Sequence, residues 1–209
     1  MIQTPAPADK QPTDKQTADK QAAFIRQLTD YLPFNEQEAQ DKRLILDALS
    51  QYGERLYLRE NLIAHLSASA WIVNPARDKV LLAWHNLFRA WSWLGGHADG
   101  EADLLQVALR EAREESGIEH VRAVSDAIFS IEVLTVDGHE KRGVYVPSHL
   151  HLNVTYLLEA DEHDALHIKP DENSGVAWFP LEESAQASSE EWMRTRIYEK
   201  LNKKLGRQI

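Results

Sequence analysis

The chain has 209 residues, a formal charge of -10 and no cysteine, a length that fits one sizeable core with elaborations and is short for two enzyme domains. Without thiols there can be no disulfide, zinc-thiolate site or cysteine nucleophile, so any metal must sit on carboxylates, carbonyls or histidines. The acidic balance excludes a basic patch for long nucleic acids but is compatible with a small anionic substrate neutralised by metal ions. No run of about 18 apolar residues occurs, and MIQTPAPADK lacks a signal-peptide pattern, so the expectation is a cytoplasmic protein with no membrane span.

In chain order, residues 1–21 repeat Asp-Lys-Gln at Asp9, Asp14 and Asp19 with almost nothing apolar to bury, which reads as a disordered low-complexity tail. Residues 22–62 read as a helical extension. Phe24, Ile25, Leu28, Tyr31 and Leu32 fall at helical spacing, Leu44, Ile45, Ala48 and Leu49 repeat it, and Pro33 separates the two. The extension is expected to pack on the main domain or against a second copy in a homodimer. From residue 63 to 209 the pattern is that of a mixed sheet with helices. Strands are expected over Leu66 to Val73, Lys79 to Trp84, Ala127 to Val136, Leu150 to Glu159 and Val176 to Phe179. Leu105, Ala108, Leu109 and Ala112 mark a helix between Asp103 and Ser116, stopped by Gly117, and a carboxy-terminal helix follows a capping box at Ser188 and Glu191.

The chemistry concentrates around Gly95-Gly96-His97 and the helix that follows. On that helix Glu111, Glu114 and Glu115 occupy i, i+3 and i+4, so three carboxylates share one face beside the apolar stripe. Three like charges so close repel, and the arrangement becomes favourable when divalent cations bridge the oxygens. Oxygen ligands select Mg²⁺ or Mn²⁺, the equipment for metal-assisted hydrolysis of a phosphate anhydride.

The same residues resemble the Nudix box, G-x5-E-x7-R-E-U-x-E-E-x-G-U with U aliphatic. Gly96, Arg110, Glu111, Ala112, Glu114, Glu115, Gly117 and Ile118 match in register, and the part from Arg110 to Ile118 would arise by chance on the order of one time in 10⁵. One position departs: the box places its first Glu where this chain has Ala102, and Glu101 sits one place early. In the family that Glu braces the loop through the Arg, so Glu101 is expected to reach Arg110. The resemblance implies that the Gly95 carbonyl and Glu111, Glu114 and Glu115 hold the metals while Arg110 orients the carboxylates. It also implies a further acidic residue from a downstream loop before a strand bearing Trp. Glu172 fits that role as ligand or base, with Asp171 its competitor, and the general base is one of Glu111, Glu114 and Glu172.

Substrate contacts are less defined. His97 follows the Gly pair and is a candidate phosphate contact or loop brace. His149 and His151 lie on the polar face of an alternating strand that either lines a pocket or faces solvent. Trp91, among Trp84, Phe88 and Trp93, is a candidate to stack on a base, with core packing as the alternative.

The resemblance implies a Nudix α/β/α sandwich, with the amino-terminal helical extension and a carboxy-terminal helix added, and a diphosphatase acting on a small nucleotide-like substrate. The Pro found after the box in many ADP-ribose hydrolases is absent, as is the Tyr of dinucleoside polyphosphate hydrolases. That favours a nucleotide sugar or alcohol, with a nucleoside triphosphate as the alternative. Isopentenyl diphosphate isomerase shares the fold but uses a Cys that this chain lacks, and a noncatalytic nucleotide-binding module has no need of all three helix carboxylates.

Overall fold

The computed structural model describes residues 15–141 and 143–206. Helices α1 (Lys15–Asp30) and α2 (Glu36–Tyr52) come first, and the break expected near Pro33 falls between them. Residues 15–21, expected as part of a disordered tail, are instead the opening turns of α1. Phe24 and Leu28 anchor the helix in the core, Lys20 reaches Glu101 at 3.2 Å, and helix then propagates cheaply outward from the anchored segment. The rest of that tail, residues 1–14, lies outside the described residues. Asn35 caps α2 by accepting from the Glu38 amide at 2.9 Å.

The strands are β1 (Ala64–Val73), β2 (Lys79–His85), β3 (Ala90–Ser92), β4 (Leu94–His97), β5 (Val121–Ala123), β6 (Ser130–Val136), β7 (His139–Lys141), β8 (Val144–Val146), β9 (His149–Ala160) and β10 (Asn173–Pro180). Eight of them form one sheet whose spine runs β10-β2-β1-β9-β5, while β7 and β8 form a separate two-stranded sheet among the described residues. β1 and β9 are parallel, in register from Ala64 opposite Leu150 to Val73 opposite Glu159, and the other pairs are antiparallel. β1 meets β2 at Val73 and Val80 and then parts from it. β4 takes its place, with Ser67 to Ala70 opposite His97 to Leu94. This branch sets the Gly95-Gly96 pair directly beside the central strand.

β1 is buried along its whole length, as a strand covered on both faces must be. Leu66, Ala68, Ala70 and Ile72 join one core with α3 (Leu104–Ser116), α1 and α2. Trp71 and Val73 join a second core with Leu157, Ala185, Ile197, Tyr198, Leu201 and Leu205. That second layer contains α4 (Leu181–Ala187), a short helix absent from the sequence reading, and α5 (Glu199–Leu205). A wide π turn over Met193–Tyr198 enters α5. Ser188 accepts from the Glu190 amide at 3.3 Å in the turn before this end rather than capping it, because the helix begins only at residue 191 and the expected box with Glu191 falls one turn too early. Helices on both faces of a mixed sheet make the expected α/β/α sandwich. Among the described residues no helix is long and apolar enough to cross a membrane.

Candidate functional site

α3 is built to present acid. Asp103 caps its start by accepting from Gln106, and Gly117, at φ 73, ends it by donating to the Arg113 carbonyl. Val107, Ala108 and Ala112 are fully buried and fix the helix against the sheet. Glu111 and Glu115 then project toward β4. A Cβ at Gly96 would stand 2.5 Å from the Glu111 carboxyl carbon, so that side chain would have to move aside, while a Cβ at Gly95 would stand 2.5 Å from the Ala68 carbonyl oxygen, a backbone clash that requires glycine there. The Gly95 amide faces a Glu115 oxygen at 3.5 Å.

Glu172 completes the group from the loop before β10: oxygens of Glu111, Glu115 and Glu172 all lie within 4.8 Å of one another. Asn173 ties that loop down by donating to the Glu115 carbonyl at 2.9 Å. Glu114 turns toward the rim, half-exposed. Its neighbours are Lys169 at 3.1 Å and Arg110 at 3.9 Å, and Lys169 also reaches Glu172 at 3.1 Å. Arg110 donates to Glu111 at 2.9 Å.

Burial and crowding raise the pKa of the carboxyls here. The Glu115 carboxyl is pushed up to about 8, first by burial and then by Glu111 and Glu172. Burial also raises Glu111, and Glu114 adds to the shift, against the opposing hydrogen bond from Arg110. Lys169 is raised because Glu172 and Glu114 outweigh the cost of its burial.

Of the residues singled out in the sequence, Glu111, Glu115 and Glu172 converge. Arg110 and Glu114 border them, and Asp171 is exposed outside the cluster. Glu101 does not reach Arg110. It bonds the Asp103 amide at 2.8 Å and pairs with Lys20, because its early position falls in the capping loop and faces α1. Trp91 packs edge-on against Trp84 and Phe179 at 5.7 and 4.9 Å between ring centres, away from the carboxylates. His97, His149 and His151 gather with His65 on another part of the sheet. The polar face of β9 therefore meets buried polar partners rather than solvent. Sequence reading missed Lys169, Asn173 and His65. The charged run Lys169 to Glu172 just before a Trp-bearing strand was the available signal for the first.

A family model described as NUDIX domain matches residues 64–201. The chain belongs to the Nudix family. Solved structures similar to this Nudix chain include a C. elegans Ap4A hydrolase binary complex, at 22% identity over 68% of this chain and 96% of that one, TM-score 0.47. A NUDIX-family hydrolase from Clostridium perfringens stands at 21% identity, 66% and 96% coverage, TM-score 0.46. The E. coli dihydroneopterin triphosphate pyrophosphohydrolase stands at 15% identity, 64% and 92% coverage, TM-score 0.46. Such distant likenesses do not select a substrate. Among curated proteins none matches.

As a Nudix-type hydrolase the protein belongs to a group of enzymes that use divalent metals, and the acidic cluster fits one. Glu115 is 8% exposed beside Glu111 and Glu172, and its carboxyl is raised to about 8. A divalent cation among these oxygens would offset both the burial of charge and the repulsion from Glu111 and Glu172 that raise that carboxyl.

Proposed function

We propose that this enzyme hydrolyses the diphosphate linkage of a nucleoside diphosphate joined to a second moiety, a sugar or an alcohol, with Mg²⁺ or Mn²⁺ as cofactor. The observation that carries the reading is the convergence of Glu111, Glu115 and Glu172 in a partly buried group whose charge Arg110 and Lys169 balance only in part. Glu111, Glu114, Glu115, Glu172 and the Gly95 carbonyl are the ligands. When bound, the divalent cation neutralises phosphoryl oxygens and lowers the pKa of the attacking water. The water oxygen attacks one phosphorus, the bridging oxygen leaves with the other half, and two phosphorylated products separate.

Glu111 takes the water proton; burial raises its carboxyl above the ordinary carboxylate value, which makes it a stronger base. Arg110 holds Glu111 from one side, and Lys169 clamps Glu114 and Glu172 together, so the carboxylates keep their geometry while charge develops on the phosphate. The choice of a nucleotide sugar or alcohol rests on the missing Pro and Tyr after the box, and a nucleoside triphosphate is the competing substrate.

Phosphate-product release from a panel of nucleotide sugars, CDP-alcohols, nucleoside triphosphates and dinucleotides, with Mg²⁺ or Mn²⁺, tests the proposal. Turnover of a sugar or alcohol conjugate that falls by on the order of 10²–10⁴-fold in Glu115→Gln is the expected result. Turnover of triphosphates alone would replace the substrate class, and absence of metal-dependent turnover would leave a nucleotide-binding module.

A further inference from the structure

Strand register gathers four histidines that the sequence scatters. His65 on β1 is the parallel partner of His151 on β9, and His97 on β4 lies opposite Ser67, two residues along the same side of β1. His149 lies two before His151, so alternation sends all four side chains to one face. Leu66, Ala68, Ala70 and Leu152 on the other face pack with α3. The histidines therefore lie across the sheet from the catalytic helix. In five of the six ring pairs the centres are 4.7 to 5.0 Å apart.

Protons alone satisfy this group poorly. His149 Nδ1 stands 2.8 Å from the Pro147 carbonyl and His65 Nδ1 stands 3.3 Å from the Asn61 carbonyl. A carbonyl accepts only from an N–H, so each neutral ring is left with a lone pair on Nε2. His151 Nε2 is 3.2 Å from the Nε2 of both His97 and His149. With the His149 proton on Nδ1, the contact between His149 and His151 needs a proton on His151 Nε2, and His151 then cannot accept from His97. His65 Nε2 is buried with no hydrogen-bond partner among the described residues, and His65 as a whole is 4% exposed.

We propose that His65, His97 and His151, with His149 packed against His151, form a second cation site, specific for a divalent transition metal of the zinc class and separate from the carboxylate site. Ligand nitrogens of His65, His97 and His151 all lie within 4.8 Å of one another. Nitrogens held at 2.0–2.1 Å in a tetrahedron stand about 3.3 Å apart, which matches the 3.2 Å between His97 Nε2 and His151 Nε2. Imidazoles with no carboxylate among them select Zn²⁺, Co²⁺, Ni²⁺ or Cu²⁺ over Mg²⁺ and Mn²⁺. The carbonyl of Asn61 supplies the second contact that orients the metal-binding ring of His65, and that of Pro147 orients the neighbouring His149 ring. Burial also lowers His65 and His151 below the ordinary histidine range, keeping both rings neutral and able to bind. A metal there would lock β4, and with it Gly95 and Gly96, to β1 and β9.

The test uses the full chain, stripped with chelator and returned to buffer containing excess Mg²⁺ to fill the carboxylates. Zn²⁺ is titrated against a chromophoric chelator, and Co²⁺ is added separately to read its visible absorption. Wild type and Glu115→Gln are expected to bind one Zn²⁺ per chain and to give the intense bands of four-coordinate Co²⁺. His151→Asn and the half-buried His97→Asn are expected to lose both signals, with folding checked by circular dichroism. Should His151→Asn not fold, His97→Asn and the wild-type stoichiometry decide. Absence of Zn²⁺ binding by wild type overturns the proposal. So does Zn²⁺ binding that is lost in Glu115→Gln and kept in the histidine variants.

Discussion

Glu38 and Glu132 are fully buried and Glu115 nearly so, yet the two sets of acids meet opposite electrostatics. Lys200 stands 2.9 Å from Glu132 and 3.2 Å from Glu38, and Lys204 stands 2.8 Å from Glu38. Tyr31, the Phe34 amide and Ser130 donate to Glu38, and Asn153 and Thr155 donate to Glu132. Burial alone would raise the Glu38 carboxyl, but Lys200 and Lys204 outweigh it and hold the group below its ordinary value. Glu115 has a 3.5 Å contact from the Gly95 amide, two carboxylate neighbours and a smaller opposing pull from Lys169, and it moves the other way. The first set clamps α2, β6 and α5 into one body. The second is left short of positive charge, which is the condition for taking up a cation.

The same substitution should therefore have opposite effects in the two places. Glu38→Gln leaves Lys200 and Lys204 undercompensated in a dry interior, and a loss of about 3–5 kcal/mol in urea unfolding is expected. A loss under 1 kcal/mol would mean the network is not what joins the helices to the sheet. Glu115→Gln should cost no stability and should raise that of the metal-free protein near pH 8.

The pH dependence sharpens the contrast. The Glu115 carboxyl has an ordinary value of 4.5 and titrates at about 8 in the fold. Between those values the folded chain holds the extra proton, so stability is full below pH 4.5 and declines as pH rises to about 8. Melting of wild type minus that of Glu115→Gln, in chelator, should trace this decline, and added Mg²⁺ should flatten it. A flat difference without metal would show that the acids are not strained. The smallest effect belongs to the exposed pair of Arg122 and Glu159. Arg122→Ala should change stability by about 1 kcal/mol or less, because solvent screens such pairs.

Much of the fold was legible from periodicity. β1, β2, β9 and α3 appear where alternation, helical spacing and Gly117 place them. β3, β4 and the β7–β8 hairpin were not foreseen. Strands of three or four residues carry too few side chains to show a period, and they exist because a neighbour offers hydrogen bonds. The helix carboxylates were legible as a set but not in their division. On a helix Glu115 lies about 40° from Glu111 and Glu114 about 60° to the other side, so the fold sends one into the cluster and the other to Lys169.

The sequence by itself determined the inventory and the local spacing: oxygen and imidazole ligands only, three acids on one helix turn, and a Gly pair ahead of them. Those follow from covalent order and the helical repeat, which act over a few residues. Tertiary structure alone decided which acids are neutralised by lysines, that Glu172 rather than Asp171 joins the cluster, and that His65, His97, His149 and His151 meet. Charge energies depend on distance through space and on exclusion of water. Both are set only when strands distant in the chain come into register.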